Sequence, residues 1–127
     1  MAYLKFESLK GKTIAKIDGA ERLSELIVIT LDNGEKYRMS HYQDCCENVS
    51  VEDIIGDVDD LIGTPILMAE EAESGENPAD YDPGKWQESF NWTFYKLATI
   101  KGYVTIRWYG ESNGYYSESV DFEKVDD

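Results

Sequence analysis

Gly102-Tyr103-Val104-Thr105-Ile106-Arg107-Trp108-Tyr109-Gly110 alternates strictly between apolar and mixed positions. Val104, Ile106 and Trp108 fall on one face of an extended chain. Tyr103, Thr105, Arg107 and Tyr109 fall on the other, the two-residue period of a β-strand. Lys101-Gly102 has turn chemistry, and before it Trp86 to Thr99 is dense in aromatic and β-branched residues, which predicts strand. On the other side Ser112-Asn113-Gly114 is a hairpin signal, because Asn and Gly both tolerate positive φ. The run after it sets Tyr116, Glu118, Val120 and Phe122 on one face. The last third therefore predicts a three-strand meander whose apolar face carries Val104, Ile106, Trp108, Val120 and Phe122.

The first third is also β-rich. Thr13 to Asp18 is a short strand candidate, and Leu26-Ile27-Val28-Ile29-Thr30-Leu31 is apolar on both faces, as an interior strand is. Asp32-Asn33-Gly34 predicts a hairpin, returning through Glu35 to about Tyr42 with Tyr37, Met39 and His41 on one face. The middle changes character. Ser50-Val51-Glu52-Asp53 has the form of a helix start, and Val51, Ile54, Ile55, Val58, Leu61 and Ile62 recur at helical spacing. This predicts one broken helix or two short ones over 50–62, interrupted at Gly56 and ended at Gly63. Pro65 to Ala69 reads as a strand, and 70–84 as a long polar loop. The expected fold is α+β and mainly antiparallel β. It has about six or seven strands in a sandwich or partly open barrel, with one short acidic helical insertion.

The chain has 127 residues and a mass of 14.5 kDa, which predicts a single domain over 1–127 with a core large enough to need no staples. No apolar run approaches the roughly 18–20 residues of a membrane span. The first residues lack a basic region followed by an apolar one, so no secretory leader is expected. Twelve Lys and Arg against 26 Asp and Glu give a formal charge of -14. That balance argues against direct binding to nucleic acid or to an anionic membrane. Between Met39 and Gly84 there is no Lys or Arg, yet that stretch holds thirteen acids, so the net charge resides in one segment. A solvated helix and loop is the simple reading of such a run. The sharper one is a surface presented to a basic partner, imitating a phosphate backbone, with Asp57, Asp59, Asp60, Glu70 and Glu71 as the contact residues. Asp57-Val58-Asp59-Asp60 resembles a calcium loop only in part, since Met68 stands where the closing Glu belongs.

His41-Tyr42-Gln43-Asp44-Cys45-Cys46-Glu47 is the one cluster with soft-ligand or nucleophile chemistry. Adjacent cysteines are not a disulfide framework, and the expectation is two reduced thiols in a cytoplasm. A zinc site on His41, Cys45 and Cys46 would lack a protein fourth ligand of the usual spacing. A structural histidine beside a thiol is the better reading than a catalytic pair. No phosphate-binding glycine loop or nucleophile elbow is present. Twelve of the sixteen aromatics lie between Tyr81 and Phe122. Tyr103, Arg107, Tyr109 and Tyr115 would share a face that a second layer buries or, as an alternative, that captures a small nucleotide ligand.

Three groups of residues carry a resemblance: His41 to Glu47, the run Gly56-Asp57-Val58-Asp59-Asp60-Leu61-Ile62-Gly63-Thr64-Pro65-Ile66-Leu67-Met68-Ala69-Glu70-Glu71, and Trp92 to Lys96 with Gly102 to Ser117. Over about residues 12–122 the chain resembles a family of small phage and prophage proteins of unknown function. The resemblance implies a viral or prophage origin and a role in the cytoplasm of an infected bacterium, and it brings no catalytic residues. The expectation is a non-enzymatic accessory protein without cofactor that engages a host protein with a basic surface, as an inhibitor of a defence or nucleic-acid-processing protein. The alternatives are the nucleotide-sequestering module and a structural protein with a zinc-supported fold. A homo-oligomer is left open.

Overall fold

Residues 102–112 form a strand whose even-numbered side chains Val104, Ile106 and Trp108 are fully buried, as their alternation predicts. A computed structural model describes residues 2, 3, 5–114 and 116–125. Its strands are β1 (Ala2–Tyr3), β2 (Ile14–Asp18), β3 (Leu26–Leu31), β4 (Lys36–Ser40), β5 (Asn48–Ile55), β6 (Met68–Ser74), β7 (Ser89–Thr99), β8 (Gly102–Ser112) and β9 (Asp121–Val125). They make two antiparallel sheets, ordered β1-β9-β4-β3-β2 and β5-β8-β7-β6. Neither closes into a barrel.

The core lies between the sheets. One wall is Ile14, Ile27, Ile29, Leu31, Tyr37, Met39 and Phe122, and the other is Val49, Val51, Tyr95, Leu97, Val104, Ile106 and Trp108. Phe6 and Leu9, from a 3-10 turn at Phe6–Leu9, plug one side. The Phe6 ring stands edge-on to Phe122 at 5.2 Å and tilted to Tyr95 at 4.6 Å. Each such buried ring or aliphatic side chain contributes about 1.5–3 kcal/mol relative to exposure. The Asn33-Gly34 hairpin forms as its chemistry requires. Gly34 has φ 91, and the Asn33 side chain accepts from Glu35 N at 3.0 Å.

The helical insertion does not form. Residues 48–55 are strand β5, and only the single 3-10 turn Val58–Leu61 follows. Among the described residues there is no α-helix. The cause is a β-bulge. Val51 pairs with Trp108 and Asp53 with Arg107, so Glu52 is an extra residue in the ladder. The bulge flips the parity, so Val51 and Ile54, three apart, both reach the core side and imitate helical spacing. The next strand also differs from expectation. Pro65 and Ile66 bridge to residues 12–13 instead of opening β6, which begins at Met68 and carries Glu70 and Glu71 within it. The polar connection thus starts at Gly75. Finally, Ser112-Asn113-Gly114 does not make a hairpin. Ser112 Oγ accepts from Gly114 N at 2.9 Å and donates to Glu118 at 2.7 Å. The chain then crosses to the other sheet, where β9 pairs with β4 and β1. Val120 and Phe122 reach the core from that side, which satisfies the same apolar pattern without a meander.

Candidate functional site

Two short elements place the acidic candidates. Asp57 precedes the 58–61 turn and caps it, its carboxylate accepting from Asp59 N at 3.0 Å. Asp59 is exposed, and Asp60 is half-buried against Gly102, with its carbonyl accepting from the Thr99 hydroxyl. The 58–61 turn therefore sits on the loop joining β7 to β8. Strand β6 begins beside the same loop, because Met68 pairs with Ala98. Glu70 and Glu71 follow two and three residues later, both exposed but on opposite faces of the strand. Glu70 is opposite Lys96 and Glu71 opposite Tyr95. Burial first, and the Glu73, Glu7 and Asp121 charges after it, hold the Glu71 carboxyl above its usual range, against a hydrogen bond from Tyr95. Asp57, Asp59 and Asp60 thus gather at the β7–β8 end of the four-stranded sheet, with Glu70 nearby and Glu71 at the middle of β6; all but the half-buried Asp60 are exposed.

Three other acids of the run are taken up by internal partners. Glu52 and Asp80 both bind Arg107, and Glu47 is buried against His41. Arg107, 6% exposed, directs Nε to Glu52 at 2.6 Å and one terminal nitrogen to Asp80 at 3.0 Å. Its guanidinium lies 5.4 Å from the Trp92 ring centre. Burial opposes the charge, but the two carboxylates outweigh it and push the Arg107 pKa up.

Asp80 belongs to the 75–88 connection, which lies as a strap across the outer face of β7 and β8. Asn77 accepts from the Trp92 indole at 3.0 Å and donates to Gln87 at 2.7 Å. Gln87 donates to the Tyr109 hydroxyl at 2.6 Å, and Tyr81 stands edge-on to Trp92. Burial first, then the neighbouring Glu111 carboxylate, pushes Tyr109 up to about 12 despite the bond from Gln87. Of the proposed nucleotide-binding set, Arg107 is therefore covered and Tyr109 half-covered. Tyr103 is exposed near the β7–β8 loop, and Tyr115 lies outside the described residues. The strap's role was invisible in the sequence. The one available signal was an arginine placed among aromatics, which needs a counter-charge from somewhere.

His41 and Glu47 flank the crossover between sheets, just after β4 and just before β5. His41 Nδ1 donates to the Ser119 carbonyl at 2.6 Å, and Nε2 faces Glu47 at 3.2 Å. Glu47 also accepts from Cys45 N at 2.8 Å and from Gln43 at 2.9 Å. Burial raises its carboxyl, but these backbone and His41 bonds outweigh it, and the net shift is downward. Nδ1 is bonded to Ser119 and Nε2 lies beside the Glu47 carboxylate, so the pair ties the crossover to the 117–120 segment. Cys45 and Cys46 are bonded to each other, which corrects the expectation of two reduced thiols. The Gln43–Glu47 network folds this turn tightly, and adjacency supplies each sulfur with its partner. Among the described residues no three His, Cys, Asp or Glu side chains are placed to hold a metal ion, so the zinc set His41, Cys45 and Cys46 does not assemble. Nor is any described helix long and apolar enough to cross a membrane.

No curated protein and no solved structure matches the chain. Residues 7–122 match the model of a domain of unknown function, DUF7448, a range that takes in β2 to β8, the strap and the start of β9. The chain belongs to the DUF7448 family.

Proposed function

We propose that this protein is a non-catalytic binding module whose acidic end engages a protein partner with a basic surface. The observation that carries the reading is a division within the acidic run. Glu47, Glu52 and Asp80 are consumed by internal partners, whereas Asp57, Asp59, Asp60, Glu70 and Glu71 form no ion pair among the described residues. Exposed carboxylates outside close ion pairs keep much of their field and steer a basic partner. In the phage or prophage setting that the resemblance implies, the partner is a host protein in the bacterial cytoplasm. A defence or nucleic-acid-processing protein is the best fit, because its phosphate channel accepts a row of carboxylates, and occupying the channel inhibits it.

Affinity capture from bacterial lysate with the wild type and with the Asp57→Lys, Asp59→Lys, Glu70→Lys variant tests this. The wild type should retain a basic protein whose binding weakens steeply with salt, and the variant should lose most of it. Equal retention by the variant, at equal salt sensitivity, would remove the acidic end from the reading.

A further inference from the structure

A cleft of about 310 Å³ opens at the other end of the four-stranded sheet, between the start of β5, the end of β8 and residues 85–88. Trp86 forms part of its wall and is 81% exposed, while Trp92 and Trp108 are fully buried. The exposure of Trp86 leaves its indole face open to a ligand within the cleft. Tyr116, Glu88, Glu111 and Lys85 share the wall. Glu111 is held by the Tyr109 hydroxyl at 3.1 Å and faces the Lys85 ammonium at 3.5 Å. Glu88 is exposed and forms no ion pair among the described residues.

This chemistry selects charge. The indole face carries negative quadrupole potential, and Glu88 and Glu111 add formal negative charge beside it. An anion meets two carboxylates and one lysine already engaged. A neutral sugar could stack on the ring and donate hydroxyls to the carboxylates, but it would leave their formal charge unneutralised. A guanidinium is flat, weakly hydrated and able to stack and pair at once.

We propose that the Trp86 cleft receives an arginine side chain of a basic polypeptide partner, its guanidinium stacked on Trp86 and paired with Glu88. The cleft and the aspartates of the 57–60 turn are separated by nearly the length of β8, roughly 30 Å at about 3.3 Å per residue. The two proposals therefore stand or fall separately.

The test is titration of the full chain with N-acetyl-arginine amide, read at the Trp86 indole N–H by NMR and assigned with Trp86→Phe. A saturable shift with millimolar Kd is expected. Trp86→Ala, a surface change, should abolish the ring contact and weaken binding about tenfold, as measured at the remaining wall resonances. Glu88→Gln should weaken it roughly threefold. Lys85→Ala should tighten it by a similar factor, because a competing ammonium leaves Glu111. Absence of a saturable shift overturns the proposal. So does looser binding in Lys85→Ala, or a shift of Trp86 with methyl glucoside but none with the arginine probe. Charge reversal at Asp57, Asp59 and Glu70 should leave the Trp86 shift in place.

Discussion

Arg107 shows how one residue can hold a whole face. Its planar fork answers Glu52 and Asp80 together while lying over the Trp92 ring. Removing it leaves Glu52 without a counter-charge beside buried rings. Arg107→Ala should cost about 2–4 kcal/mol in denaturant unfolding, the magnitude of a broken, mostly buried pair. Arg107→Lys should recover only part, because an ammonium cannot address both carboxylates. A loss under about 0.5 kcal/mol for the alanine variant would show that the strap is held by its aromatic contacts and the Asn77 and Gln87 hydrogen bonds without Arg107. At Glu35 the effect is one of pH. The Lys124 ammonium, 2.6 Å away, and then the Asn33 amide lower its carboxyl from the ordinary 4.5 to about 2. A depressed carboxylate stabilises the folded state above its unfolded value and loses that contribution as pH falls through the folded one. The stability gap between wild type and Glu35→Gln should therefore be full near pH 6 and shrink between about pH 4.5 and 2. A gap that is the same at pH 6 and pH 2 would contradict the pairing. Residue parity was legible in β4 and β8: Tyr37 and Met39 point inward and Arg107 lies opposite Trp108, because alternation is local. Arg107's partners were not legible. They stand 27 and 55 residues away, and only the path of the strap brings Asp80 within reach.

Among the elements, β6 is the exposed margin of the four-stranded sheet, since its only neighbour in the sheet is β7. Its backbone offers unpaired donors and acceptors to any passing strand, and Glu70, Glu71 and Glu73 along it repel a second copy. Replacing Glu71 and Glu73 by Val should bring concentration-dependent association, visible by light scattering, with little loss of secondary structure by circular dichroism. A variant that stays monomeric at high concentration would show that β6 needs no such protection. The same strand shows where element reading fails. Glu-rich sequence disfavours strand in isolation, yet pairing with β7 overrides that weak preference. The 50–62 region fails for a different reason. A bulge at Glu52 turns a two-residue period into an apparent three-residue one, and no local feature separates that from an amphipathic helix. The Asn113-Gly114 turn residues likewise bend the chain, but what lies beyond the bend is decided by which sheet still needs a strand.

On the scale of the molecule, the structure divides its charge. The two ends of the β5-β8-β7-β6 sheet carry different chemistry: paired-free carboxylates around the β7–β8 loop, and an exposed indole between carboxylates at the opposite end. A basic partner long enough to touch both would bind with a linked, multivalent gain, and one that touches a single end would respond to only one set of substitutions. The sequence by itself determined the antiparallel β character, the inward-facing residues of β4 and β8, the Asn33-Gly34 hairpin and the concentration of negative charge. Each of these depends on neighbours in the chain, through pleat period, turn chemistry or simple counting. Only the tertiary structure decided that β9 joins the first sheet, that the 75–88 strap covers Arg107 and Trp92, and which carboxylates are spent internally. Those outcomes depend on contacts between segments far apart in sequence, where burial and charge pairing select one arrangement among several that the local pattern allows.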